Sequence, residues 1–142
     1  MSAKLLIPAV KALIYRGEEI LFIKNNIKGV VRWDIPGGRV DHGEHPYNTL
    51  EREVKEETGL NILRGNPVGM YYFFRDRDDA QIVLTVFKCR LADDDMQVDL
   101  ENNADENENI IDFAWMSLGD FLKEERKVSD NSLIELLKKM HS

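Results

Sequence analysis

The segment Pro46–Thr58 has the pattern of a helix but the wrong surface for one that merely faces water. Pro46 suits a first turn, where its missing N–H costs nothing, and Gly59 suits the C-terminal cap. His45 is a poor N-cap residue beside Ser, Thr or Asp. Tyr47, Leu50 and Val54 recur at i, i+3 and i+7 and mark the stripe that must be buried. At about 100° per residue, Glu57 projects only about 50° from the centre of that stripe and Glu53 about 90°. Glu56 lies further round, and Arg52 points almost directly away. A helix built for solubility puts its acids opposite the core; this one sets two glutamates on the core's border and all three on one side.

Carboxylates spaced i, i+3, i+4 are neighbours on a helix, and like charges there repel. Something positive must offset them. Arg52 is adjacent in sequence, but its direction leaves it unable to neutralise the whole cluster. A hard divalent cation with oxygen ligands is the natural answer, and Mg2+ keeps waters that a phosphate displaces. Just upstream, Gly37 and Gly38 let backbone approach a bulky ligand or ion with no Cβ in the way, and leave carbonyls free to coordinate. Each feature alone is commonplace. Their combination is not.

The rest of the chain reads as a mixed α/β domain. Ile7–Tyr15 and Ile20–Lys24 are apolar runs joined by Arg16–Glu19, a hairpin pattern. Asn25–Arg32 reads as a polar loop and Trp33–Gly38 as an extended piece ending in a flexible turn. Val68–Phe74 and Gln81–Leu91 read as strands joined by the polar Arg75–Asp79. Ile110–Trp115 is a further strand and Leu118–Leu122 a helical turn. Ser129 is placed to cap a last helix with Leu133, Leu136, Leu137 and Met140 on one face. The expected architecture is a three-layer α/β/α sandwich around a mixed β-sheet, one domain over residues 1–142.

Charge and cysteine usage narrow the function. The net charge of −7 belongs to one loop: Ala92–Glu108 holds eight acids and no Lys or Arg, and outside it 18 acids face 19 bases. No basic track serves a nucleic acid backbone, so nucleic acid is an unlikely partner. That loop is either a solvated connection or a cover whose carboxylates reach a cation. The single cysteine, Cys89, excludes internal disulfides, fits a reducing compartment and reads as packing. Pro8 and Lys11 interrupt the apolar start, so it makes a poor signal peptide, and no run approaches the roughly 18 residues of a membrane span. A cytoplasmic protein without a membrane partner is expected.

The glycine-glutamate combination resembles the Nudix box, the signature of the Nudix hydrolases. Gly38, Glu44, Arg52, Glu53, Val54, Glu56, Glu57, Gly59 and Leu60 fill every position that the box specifies. A Trp33-Asp34-Ile35-Pro36-Gly37 lead-in and a Trp115-Met116-Ser117-Leu118 exit are similar to the family's flanks. The resemblance implies Mg2+- or Mn2+-dependent hydrolysis of one P–O–P bridge in a nucleoside diphosphate linked to another moiety. It implies metal ligation by Glu53, Glu56 and Glu57 with the Gly38 carbonyl, orientation of the glutamates by Arg52, and bracing of the loop by Glu44. The general base is either Glu53 or a loop glutamate, with Glu106 and Glu108 nearest the following strand and Glu101 further off.

For substrate, Tyr71–Phe74 offers aromatics on both sides of a strand, so two at most face a cleft; Tyr72 is the candidate for base contact. Arg39, Arg75 and Arg77 are candidates for phosphate. Trp33, Trp115 and Phe87 read as core, and His42, His45 and His141 as surface. The small-molecule substrate expected is a nucleoside triphosphate or related nucleotide, acted on by a monomer or homodimer. Alternatives are a nucleotide-sugar pyrophosphatase, a pyrophosphohydrolase of RNA 5′ ends and a non-catalytic nucleotide sensor.

Overall fold

The computed structural model describes residues 4–101, 109–124, 128 and 130–141. In chain order its elements are β1 (Leu6–Arg16), β2 (Glu19–Ile27), β3 (Val30–Asp34), β4 (Gly37–Arg39), α1 (Pro46–Thr58), β5 (Ile62–Leu63), β6 (Pro67–Phe74), β7 (Gln81–Leu91), β8 (Ile110–Met116), α2 (Leu118–Lys123) and α3 (Asn131–His141). The strands form one mixed sheet. Its axis is the parallel pairing of β1 with β7, from Leu6 against Gln81 to Tyr15 against Arg90. β5 and β6 lie antiparallel on the far edge of β7.

On the other side the sheet forks. β1 and β2 share only the register pairs Tyr15–Ile20 and Arg16–Glu19 beside their turn. Beyond these, β4 takes the edge of β1, setting Gly37 opposite Lys11 and Gly38 opposite Val10. β2 pairs instead with β8 and β3. Here the sequence reading of Asn25–Arg32 as a loop is corrected. β2 continues to Ile27 and turns through Lys28 and Gly29, both at positive φ (53° and 83°), into β3. Two positive φ values match the right-handed twist of the flanking strands, but Lys-Gly is not the Asn-Gly that advertises such a turn.

Helices cover the two faces. Leu50 and Val54 of α1 pack with Val10, Ala12, Ile14 and Phe87 on one face. Phe121 of α2 and Leu133 and Leu137 of α3 pack with Leu13, Phe22, Tyr71 and Leu84 on the other. Cys89 is buried with the α1 layer, and burial pushes its thiol up to about 11, so it stays a neutral packing group. Ser129, expected as the cap of α3, lies outside the described residues; the Asp130 carboxylate accepts from Ser132 N at 2.8 Å at that helix start. The acidic loop is more than a solvated connection in its described part. Met96 and Val98 pack against the α1 layer, and Asp99 N donates to Thr58 O at 2.8 Å. No helix among the described residues is long and apolar enough to cross a membrane.

The fully buried rings of Phe22 and Phe121 stack with centroids 3.8 Å apart and planes within 2°. Phe121→Ala is expected to cost about 3–5 kcal/mol in urea unfolding, the usual penalty for an uncollapsed ring-sized cavity. A loss below about 1 kcal/mol would show that α2 repacks without it.

Candidate active site

The site begins with α1, which runs from Pro46 to Thr58 as its sequence pattern requires. His45 does cap it: the imidazole Nδ1 accepts from Tyr47 N at 3.2 Å, taking up one of the helix's orphan donors. Gly59 closes it in the left-handed region at φ 77°. Leu50 and Val54 face the core, and Glu57 is as buried as they are, at 0% exposure. Its Oε1 accepts from Gly37 N at 3.0 Å, tying the helix to the fork. Glu53, 9% exposed, lies against the second glycine. A Cβ on Gly38 would sit 2.6 Å from the Glu53 carboxyl carbon, and one on Gly37 would sit 2.1 Å from Val10 O. Glycine is therefore required twice in succession, and at Gly37 the φ of 149° adds a second reason.

Arg52 reaches further than its helical direction suggested. Its Nε and Nη2 fork onto both Glu44 oxygens at 2.9 Å each. Nη1 donates to Glu53 Oε1 at 2.9 Å and to Glu56 Oε2 at 3.2 Å, and Nη2 lies 3.4 Å from Asp41. One planar group thus gathers four carboxylates, which the five N–H donors of guanidinium allow and an ammonium would not. Hydrogen bonding to Glu44 raises the Arg52 pKa further. In return Arg52, and then the Thr49 hydroxyl at 2.7 Å, draw the Glu44 carboxyl down from its ordinary 4.5 to about 2. Thr49 was not singled out in the sequence, because a helical threonine gives no sign that a loop glutamate will fold over it.

Beside this cluster a cavity of about 670 Å³ occupies the fork. Lys11, Asp34, Gly37, Gly38, Arg39, Asp41 and Glu53 line one part of it, and Tyr71, Phe73, Ile82 and Leu84 another. Glu53 is the one box glutamate on the wall; Glu57 is fully buried and Glu56 is part-exposed, and neither lines the cavity. Strand alternation divides the aromatics as anticipated but with the other parity: Tyr71 and Phe73 face the cavity, whereas Tyr72 is 53% exposed and absent from its lining. Arg39 and Arg75 both line the cavity. The Arg75 guanidinium is already held by Asp78, from Nε at 2.9 Å and Nη2 at 2.6 Å. Glu106 and Glu108 lie outside the described residues; Glu101 is exposed.

Two buried polar features escaped the sequence reading. Lys11 Nζ donates to Asp34 Oδ2 and to Ile35 O, each at 3.2 Å, bridging β1 to the start of the glycine turn. Asn25, 5% exposed, stands on the cavity wall where the register of β2 shifts between Lys24 and Asn25. Neither residue belongs to a recognisable spacing.

The donor set suits a hard cation, being carboxylate oxygens next to bare glycine backbone. Among the described residues no three acidic, histidine or cysteine side chains already form a group that holds a metal. Glu53 Oε1 and Glu56 Oε2 share one guanidinium nitrogen, which holds the two carboxylates near each other through one oxygen apiece.

An α-helix carrying glutamates against a glycine turn at the fork of a mixed sheet defines a class, and comparison with known proteins agrees. Residues 5–137 match the NUDIX domain profile, and the chain belongs to that family. It is 36% identical over 70 residues to the putative 8-oxo-dGTP diphosphatase of Bacillus subtilis strain 168, covering 49% of this chain but only 46% of that relative. It is 24% identical over 115 residues to the nucleoside triphosphatase NudI of Escherichia coli O81, covering 74% and 75%. A MutT protein structure from Methanosarcina mazei Go1 superposes with a TM-score of 0.79 at 25% identity, over 98% of this chain and 95% of that one.

The lowered Glu44 pKa sets a pH dependence. The unfolded chain takes up this proton first, so the group's stabilisation is complete above about 4.5 and is lost as pH falls toward 2. Glu44→Gln should therefore flatten the decline of Tm across that window. An unchanged slope would show that Arg52 does not hold Glu44 in solution.

Proposed function

We propose that the chain hydrolyses a P–O–P bridge of a nucleoside diphosphate derivative, a nucleoside triphosphate or related nucleotide first, with Mg2+ or Mn2+. The observation that carries this reading is the Arg52-gathered carboxylate cluster opening, through Glu53, onto a nucleotide-sized cavity. The names of the relatives point the same way, being a diphosphatase and a nucleoside triphosphatase.

In this reading Glu53, Glu56 and Glu57, with the Gly38 carbonyl, hold the cation. When bound, it supplies neutralising charge to phosphate oxygens and lowers the pKa of an attacking water. Arg52 keeps Glu53 and Glu56 parallel and near each other against their repulsion, and Glu44 fixes Arg52 in turn. Glu53 is our choice of general base, since it alone of the three lines the cavity and can reach a water beside phosphorus. Arg39, at the mouth next to Gly38, meets the phosphates. The apolar wall of Tyr71, Phe73, Ile82 and Leu84 accepts the base. The soluble nucleotide chemistry and lone reduced cysteine suit the cytoplasm, and no basic track invites RNA.

A panel of nucleotides with Mg2+, products resolved as pyrophosphate, phosphate or sugar phosphate, tests the activity. Chelator should abolish turnover and Mg2+ or Mn2+ restore it; turnover indifferent to EDTA would sink the metal assignment. Among loop acids, Glu106→Gln and Glu108→Gln should turn over near wild-type rate, because the base lies in the box. A strong fall in kcat with metal affinity intact would move the base to the loop.

Glu57 separates ligand from scaffold. Gln keeps an oxygen to accept from Gly37 N but loses the charge that holds a cation. Glu57→Gln should melt as wild type or higher without metal, gain less Tm from Mg2+, and lose on the order of 10³-fold in kcat. Exposed Lys55→Gln should be nearly silent. Retention of more than about a tenth of wild-type kcat by Glu57→Gln, a barrier change under ~1.4 kcal/mol, would remove it from the ligand set.

A further inference from the structure

The charges on the cavity wall do not balance. Its three carboxylates are all engaged: Asp34 by Lys11 at 3.2 Å, Glu53 by Arg52 at 2.9 Å and Asp41 by Arg52 at 3.4 Å. Lys11 and Arg75 are engaged in turn, by Asp34 and Asp78. The side chains of Lys28, Arg32 and Arg39 line the same wall with no hydrogen bond or ion pair to any described residue. The register sets two of these cations opposite each other. β3 climbs beside β2 to Asp34, the chain crosses through Ile35 and Pro36, and β4 descends beside β1. Lys11 marks the level of the crossing, since it lies opposite Gly37 and donates to Asp34 and to Ile35 O. Two residues below stand Arg32 on β3 and Arg39 on β4, and strand alternation gives Arg32 the face of Asp34 and Arg39 the face of Gly37. Both line the cavity, so the two arginines stand level on facing walls of the fork. Lys28 lies further down, in the turn of the β2–β3 hairpin.

We infer that Arg32 is a specificity-determining residue that meets the phosphate chain from the wall opposite Arg39 and selects a nucleoside triphosphate over a nucleoside diphosphate sugar. The inference rests on the nucleotide reading above, in which Arg39 alone was given the phosphates. One arginine beside the cleaved bridge serves both substrate classes, since both contain that bridge. A second across the fork, with Lys28 beyond it, finds a partner only where the negative charge extends further. The terminal phosphate of a triphosphate extends it, whereas a nucleotide sugar ends on a neutral ring. Guanidinium takes phosphate oxygens through paired N–H groups, and a cleft with uncompensated charge of one sign concentrates ligands of the other. Arg32 is exposed, so it stays solvated until a ligand arrives and carries none of the desolvation cost of a buried guanidinium.

The test compares ATP, GTP, CTP and UTP, each with a diphosphate sugar of the same base, in wild type, Arg32→Gln, Arg32→Lys and Arg90→Gln. Arg90 is exposed and absent from the cavity wall, so its variant removes the same charge elsewhere. Two readouts are taken on each nucleotide: kcat/KM with Mg2+, and the rise in Tm at saturating nucleotide. Wild type should favour the triphosphate in both. Arg32→Gln should lose about tenfold in kcat/KM on the triphosphate, through KM, as removal of one charge-assisted contact does. On the diphosphate sugar it should match wild type, and without ligand it should melt as wild type. Arg32→Lys, which keeps the charge but not the planar fork, should lose less. Arg90→Gln should match wild type throughout. Equal handling of the two classes by wild type, or a preference for the sugar, would overturn the inference. So would an Arg32→Gln protein that loses equally on both classes or on neither, or an Arg90→Gln protein with the same loss. If no nucleotide is hydrolysed, the catalytic reading fails and the rise in Tm alone decides Arg32. A triphosphate-specific rise that Arg32→Gln loses upholds the inference; a rise that the variant keeps, or none in wild type, overturns it.

Discussion

The close approach of α1 to the Gly37–Gly38 turn is the constraint on which the remainder of the structure depends. Two side-chain-free residues in succession let the helix come near enough for Glu57 to accept from Gly37 N and for Glu53 to lie over Gly38. The same turn pairs with β1 at Val10 and Lys11, which forces β2 away and opens the fork. Helix position, sheet topology and cavity are thus one geometric fact seen from three sides. Any Cβ at Gly38 would push Glu53 out of the fork, disturbing the helix and the cavity wall together.

Electrostatics then decides how such a helix tolerates its own acids. Hydrophobic packing of Leu50 and Val54 fixes the face on which Glu53, Glu56 and Glu57 fall, and their mutual repulsion follows from spacing alone. Arg52 relieves it for Glu53 and Glu56, and Gly37 N for Glu57. These are different solutions. The guanidinium holds Glu53 and Glu56 through Nη1 while Nε and Nη2 keep the fork on Glu44, so the loop's anchor does not depend on the bonds to the helix acids. The backbone bond to Glu57 fixes its carboxylate from below. The arrangement holds the acids ready rather than burying them in a closed ion-pair core, whose desolvation would cost more and release nothing.

What was legible in the sequence tracks how local the cause is. The bounds of α1 follow from Pro46, Gly59 and a 3.6-residue stripe, and those of β7 from a long β-branched and apolar stretch broken only by Thr85, Lys88 and Arg90. The box residues were readable because their spacing is fixed by a single helix and the turn before it. The β2–β3 hairpin was not, since Lys28-Gly29 lacks a strong turn signature and the stems mix Asn25, Asn26 and Arg32 with only Ile27, Val30 and Val31. Nor was the parallel β1–β7 pairing, which joins segments far apart in the chain with no local sign of each other. Arg52, which points away from the buried stripe, still reaches Glu53 and Glu56, because Cα direction does not limit a long, flexible side chain, and Glu57 is left to Gly37 N. For Tyr71–Phe74, alternation gave two and two but could not give the parity, which depends on which face α3 covers.

Burial of polar groups locates the site without reference to any motif. Seven polar or charged residues are buried among those described: Lys11, Asn25, Asp34, Thr49, Glu53, Glu57 and Thr58. Three of them, Thr49, Glu57 and Thr58, lie under α1; Lys11, Asn25, Asp34 and Glu53 line the fork cavity. Lys11 alternates with Val10 and Ala12 and shares the face of Ala9 and Leu13, so the polar groups of the fork border the apolar layer under α2 and α3. Those under α1 whose hydrogen bonds are explicit serve the helix or its loop: Thr58 donates to Val54 O at 2.6 Å and Thr49 to Glu44. Those in the fork all line the cavity. A chain selected for stability alone would fill those positions with apolar side chains, as it does at Leu13 and Phe22 on the same side. Lys11 and Asp34 offset part of their desolvation on each other and Glu53 offsets part of its own on Arg52, so the fork keeps charge on a cavity wall that a polar ligand can meet.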